Sequence, residues 1–206
     1  MKKKVLALTL GLTMALSLAA CGGNTGSSTS GSGAASGSGA DASTSGSGSS
    51  GDLITVGFAQ VGHESDWRTA STKSAQDVFS EENGYQLSFI DCDNDSATQL
   101  EAVRGFIQQG VDYIIIDPIV STGWDAVLTE CEDAGIPVIV IDRTIDDSDK
   151  YVTWVGSDFK TEGLACGEWL KAYAEAKGIT EINALVIEGS TGASATIGRT
   201  EGFKEI

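Results

Sequence analysis

A single histidine, His63, occurs in 206 residues, which leaves little for acid–base catalysis. No Cys-x-x-Cys pair and no Cys/His cluster is present, so neither a zinc site nor any other metal centre is expected. A Gly-x-Ser-x-Gly elbow for a nucleophilic serine is also missing. Basic residues are scarce: 13 Lys and Arg stand against 29 Asp and Glu, a net charge of −16. Phosphate backbones are held by Lys and Arg, so nucleic acid is excluded as a partner. The apolar run Val5–Ala20 falls short of the roughly 18–20 residues that span a bilayer.

Two near-motifs fail on inspection. Glu188-Gly189-Ser190-Thr191-Gly192-Ala193-Ser194 has the glycines of a phosphate loop but no Gly-Lys-Ser/Thr ending. Asp91-Cys92-Asp93-Asn94-Asp95 opens like a calcium loop, yet its sixth position is Ser96 and its twelfth is Ala102. An enzyme is therefore the weaker reading, and no cofactor is expected.

What is there begins with an export signal. Lys2, Lys3 and Lys4 precede the short apolar run, which ends in Leu18-Ala19-Ala20-Cys21. This resembles the leader and lipobox of bacterial lipoproteins, in which the chain is cut before the Cys and lipid is attached to its sulfur. Residues 1–21 are thus expected to be a signal peptide with Cys21 as the lipidation site. Residues 22–51 are Gly, Ser, Thr and Ala apart from Asn24 and Asp41. Such a stretch cannot bury enough surface to offset its ordering entropy, and reads as a tether with a root-mean-square reach of about 30 Å. Without the leader lysines, ten basic residues face twenty-nine acidic ones. A surface this acidic suits an exported protein. Cys92, Cys131 and Cys166 are widely spaced and are expected to be buried, reduced thiols.

From Leu53 onward, β-rich runs alternate with helical patterns. Strands are predicted at Leu53–Ala59, Tyr85–Ile90, Tyr113–Ile116, Pro137–Ile141, Tyr151–Val155 and Ala184–Ile187. Helices are predicted at Trp67–Glu82, Ser96–Gln109, Gly123–Ala134 and Thr161–Ala176, with a last one starting near Ser194. Ser96 is the expected N-cap of the second helix, whose stripe is Leu100, Val103, Phe106 and Ile107. The alternation implies βαβ units and a parallel sheet covered on both faces. The class is α/β.

Ligands of open parallel sheets bind beyond the carboxyl ends of the strands. After the first strand come Gln60, His63, Glu64, Ser65, Asp66, Trp67 and Arg68; after the next three come Asp91, Asp117-Pro118 and Asp142-Arg143. An indole, guanidinium forks and carboxylates together suit a polyhydroxylated ring with an apolar C–H face. The plainer alternative is that Asp142 and Arg143 cap a strand or pair with each other.

These residues, taken in order, resemble the type I periplasmic sugar-binding proteins of the ribose- and galactose-binding group, most closely the galactofuranose-binding proteins. The matching segments run from Val56-Gly57-Phe58-Ala59-Gln60 and Trp67-Arg68 through Ala102-Val103-Arg104, Asp117-Pro118, Thr122-Gly123-Trp124 and Asp142-Arg143 to Gly192-Ala193-Ser194 and Arg199. The resemblance implies two Rossmann-like lobes of doubly wound parallel sheet closing on a monosaccharide: residues 52–157 as the N-terminal lobe, and 158–206 as the start of a second lobe that is truncated in this chain. It implies Glu64, Trp67, Arg68, Asp91, Asp142, Arg143, Ser194 and Arg199 as ligand-binding residues. His63 departs from the small residue expected there. It further implies a monomer that delivers sugar to an ABC transporter permease from a membrane-anchored, extracytoplasmic position. A receptor or sensor kinase is the alternative recipient.

Overall fold

The structure, a computed structural model, describes residues 53–206. The leader, Cys21 and the tether to residue 51 lie outside the described residues. Five strands form one sheet among the described residues: β1 (Ile54–Gln60), β2 (Tyr85–Asp91), β3 (Tyr113–Ile116), β4 (Val138–Ile141) and β5 (Thr153–Val155). Their order is β2-β1-β3-β4-β5 and every pairing is parallel. The helices are α1 (Asp66–Val78), α2 (Ser96–Gln109), α3 (Asp125–Asp133), α4 (Phe159–Lys177) and α5 (Ser194–Glu205), with a 3₁₀ turn at Glu81–Asn83.

Alternation within each strand sends side chains to both faces, and both faces are covered. Ala59, Ile114, Ile116, Val138 and Val140 meet Val103, Phe106, Val127 and Leu128 of α2 and α3. Val56, Phe58 and Ile115 meet Ala75 and Phe79 on the α1 side. Double burial is why Ile114, Ile115 and Ile116 form an unbroken apolar run. Gly57 allows α2 to press onto β1, since a Cβ there would lie 2.6 Å from Phe106 Cδ2.

Several boundaries differ from the predicted ones for local reasons. Helix α1 stops at Val78, where Asn83 Nδ2 donates to the carbonyls of Asp77 and Val78, both at 3.0 Å. The cap of α2 is Asp95, not Ser96: its carboxylate accepts from Thr98 N at 2.6 Å. Helix α3 starts two residues late because Gly123 has φ of +93° and its N–H, like that of Trp124, donates to Asp147. Helix α4 starts early, capped by Asp158 through Thr161 N at 3.1 Å.

The strand predicted at Ala184–Ile187 does not form; the segment has no regular secondary structure, and Leu185 and Ile187 are about nine-tenths exposed. A strand exists only by pairing, and no described strand pairs with this segment. Cys166 is exposed, against expectation, because it faces that same uncovered segment, whereas Cys92 and Cys131 are buried.

Candidate ligand-binding site

The direction of strand progression reverses between β1 and β3, and the polar residues converge beyond that point. Gln60, the last residue of β1, is buried and ties the strand to α1. Its Nε2 donates to Thr72 Oγ1 at 2.7 Å, Gly62 O at 3.1 Å and Arg68 O at 3.4 Å. Ser65 caps α1 by accepting from Arg68 N at 3.3 Å. These contacts seat Arg68 over the switch point, with only 4 % of its surface exposed.

Three carboxylates from three stretches of chain meet the Arg68 guanidinium. Nε donates to Glu64 Oε1 at 3.0 Å, Nη1 to Asp117 Oδ2, and Nη2 pairs with Asp142 Oδ2 at 2.9 Å. Arg143 Nη1 donates to Ile119 O at 3.1 Å. Asp142 and Arg143 thus take different partners rather than each other. Asp142 has φ of +58°, a left-handed conformation that costs a non-glycine residue about 1–2 kcal/mol. Its backbone is pinned by β5: Asp142 N donates to Val155 O at 2.8 Å, and Trp154 Nε1 to Asp142 O at 3.2 Å. The side chains of Glu64 and Asp142 stay partly open, whereas that of Asp117 is fully enclosed.

Burial dominates the electrostatics. It pushes the Asp117 carboxyl up to about 7, against the pull of Arg68 and Arg143 and with help from the Asp142 and Glu64 charges. For Arg68, burial works against the charge, but Asp117, Glu64 and Asp142 together hold the guanidinium above its ordinary range. Arg143 is lowered by burial and by Arg68, despite the same carboxylates. One buried acceptor of this cluster, Asp117 Oδ1, has no partner among the described residues.

Trp67 is more than half exposed and stacks on Arg68, with Cζ 4.8 Å from the ring centroid. Asp91 Oδ2 contacts His63 Nδ1, and Asp91 Oδ1 accepts from Asp93 N at 2.9 Å. Ser194 Oγ accepts from Thr144 N at 2.8 Å, holding the start of α5 against the loop after β4. Arg199 stands apart from the cluster: its Nε donates to Glu162 Oε2 at 2.8 Å and its guanidinium covers Phe159. Trp124 is packing, buried with Nε1 donating to Val120 O at 2.8 Å.

Away from this rim, a hollow of about 620 Å³ lies between α4, α5 and residues 184–189. Glu162 and Arg199 pair with each other on its wall, Glu188 and Lys204 also line it, and Leu185 and Ile187 are its exposed apolar side. Among the described residues no group of His, Cys, Asp and Glu is arranged to hold a metal ion.

Sequence reasoning placed Asp117 on the rim but gave it no role. It missed Gln99, a fully buried amide whose signal was its spacing: Gln99, Ala102, Val103 and Phe106 share the inner face of α2.

An open parallel sheet of the α/β class thus carries forked donors, carboxylates and an indole at its switch point. The chain belongs to the periplasmic binding proteins: the family model "Periplasmic binding protein domain" matches residues 56–206. Its fold is the type I form of that family. It is 44 % identical over 154 residues to the galactofuranose-binding protein YtfQ of Escherichia coli, covering 74 % of this chain and 47 % of that one. It is 31 % identical over 151 residues to the fructose import binding protein FruE of Bifidobacterium longum, covering 72 % and 46 %. Among solved structures, a Mycobacterium smegmatis protein in complex with β-D-fucofuranose superposes with a TM-score of 0.69 at 48 % identity, covering 74 % and 50 %. The chain spans about half the length of the curated relatives it matches.

Proposed function

We propose that this chain belongs to an extracytoplasmic substrate-binding lipoprotein that captures a monosaccharide for an ABC importer without chemical change. The observation that carries this reading is the convergence of Arg68, Arg143, Glu64, Asp142 and Trp67 on one rim. Ionised carboxylates accept from sugar hydroxyls, guanidinium forks donate to them, and an indole packs on a C–H face. Asp91, at the end of β2, and Ser194, at the start of α5, would add further acceptors. Arg199 would enter from residues 158–206, the proposed start of a second lobe. Relatives that bear the names of galactofuranose- and fucofuranose-bound proteins support a five-membered ring, with galactofuranose the first candidate. Cys21 would carry the lipid, residues 22–51 would tether the domain, and the monomer would dock on a membrane permease.

Calorimetry on the intact protein with a panel of furanose and pyranose sugars tests the reading. One tight binder is expected, and Arg143→Ala should abolish its binding while Lys150→Ala does not. Silence towards all monosaccharides, with binding of an amino acid or a purine, would reject it. A sensing role is the second reading, favoured by a likeness of TM-score 0.65 at 28 % identity to the "fructose binding periplasmic domain of hybrid two component system". Neighbouring genes for a permease and ATPase, rather than a kinase, would decide for import.

A further inference from the structure

The β1–β3 ladder ends with Ala59 opposite Ile116. Beyond it, Asp117 and Ile119 flank Pro118, which has no N–H to offer. Polar backbone groups enclosed at such a point must find partners. The buried side chain of Gln99 supplies them. Its Nε2 donates to Asp117 O at 2.6 Å and to Ala59 O at 3.2 Å, and its Oε1 accepts from Ile119 N at 2.9 Å. Both ends of one amide are therefore used on the backbone at the switch point.

The two residues it fixes are the anchors of the two guanidinium groups. Arg68 Nη1 donates to the Asp117 carboxylate, and Arg143 Nη1 to the Ile119 carbonyl. We propose that Gln99 is a positioning residue of the ligand site, orienting Arg68 and Arg143 together by clamping the Asp117–Ile119 backbone. It touches no ligand itself. The proposal rests on the sugar-site reading for its binding readout, and on geometry alone for the rest.

A purely packing role predicts something different. Val103 lies on the same buried face of α2 and makes no contact with the clamp through hydrogen bonds. Three variants of the intact protein separate the roles: Gln99→Met keeps the bulk without the amide, Gln99→Glu restores a donor only when protonated, and Val103→Ala loosens the core. The readouts are the side-chain ¹⁵N signals of Arg68 and Arg143 without ligand, and the dissociation constant for the sugar that wild type binds. Gln99→Met is expected to shift or broaden both arginine signals and to weaken binding about tenfold or more, as a misaligned hydrogen bond to a charged group does. Val103→Ala should leave both readouts unchanged. Gln99→Glu should approach wild type at pH 5 and lose both readouts as its carboxyl ionises, with wild type titrated in parallel to remove the contribution of Asp117.

Unchanged arginine signals in Gln99→Met, or equal changes in Val103→Ala, would overturn the proposal. Should Gln99→Met not fold, a Gln99→Glu protein whose arginine signals follow wild type at every pH would overturn it instead. A wild type that binds no sugar would count against the function alone, because the arginine signals need no ligand.

Discussion

Arg68 Nη1 donates to one oxygen of Asp117, while the other oxygen of that carboxylate is enclosed without a partner among the described residues. The pair is thus held on one side only. With its carboxyl raised from the ordinary 3.8 to about 7 by burial, folded Asp117 keeps a proton that the unfolded chain has already released. Between pH 4 and 7, stability from this group therefore falls as pH rises. Asp117→Asn removes the titration and should flatten that slope. Urea unfolding of both proteins at several pH values checks this, and identical slopes would contradict it.

Asp142 joins two demands at one residue, a left-handed backbone at φ of +58° and a carboxylate on Arg68. Asn tolerates that backbone region and Ala does not. Asp142→Asn should therefore be more stable than Asp142→Ala by about 1 kcal/mol, read by denaturant unfolding. Both should weaken sugar binding, because both remove the charge that faces Arg68.

Gly57 marks where α2 lies closest to the sheet. A methyl group there would overlap the Phe106 ring, and neither strand nor helix can retreat without opening the core. Gly57→Ala is expected to cost about 1–3 kcal/mol, the usual range for overpacking. Thermal denaturation measures it, and an unchanged melting temperature would show that α2 can shift.

The same contact explains what could be read in advance. Strands buried on both faces must be apolar along their length, so Ile114-Ile115-Ile116 announces itself. Val186 and its neighbours carry the same signature, but a strand depends on a partner that its own residues do not encode. Asp95 and Ser96 are both competent caps, and only the chain's path decides between them. Arg68, Asp142 and Arg143 were legible from their places after strands. That Asp142 pairs with Arg68 rather than Arg143 depends on its left-handed backbone, which no local pattern signals. The α2 stripe of Leu100, Val103, Phe106 and Ile107 does face the core, but it omits Gln99 and Ala102, because a buried Gln99 counts as polar in any periodicity.

Cysteine reactivity separates the covered and uncovered parts of the fold. Cys92 and Cys131 are buried, and burial, aided by nearby carboxylates, pushes their thiols up to about 12 and about 11. Thiolate is the reactive form, so both should resist alkylation at pH 8 until the protein unfolds. Cys166 is exposed and should react at once. Peptide mapping by mass spectrometry after brief iodoacetamide treatment distinguishes the three. Protection of Cys166 would show that the face formed by residues 184–189 is covered in solution.

Trp67 offers the cleanest separation of binding from folding. It is 58 % exposed, and its main contact is the stack on Arg68. Removing so open a side chain should change stability by no more than about 0.5 kcal/mol. Its loss from the sugar site should be far more costly, because this exposed indole is the aromatic face stacked on Arg68. Trp67→Ala is expected to weaken sugar binding at least about tenfold, and Trp67→Phe to recover part of it. Calorimetry and thermal denaturation on the same preparations give both numbers. A Trp67→Ala protein that binds as wild type does would remove the indole from the site and leave recognition to the charged groups.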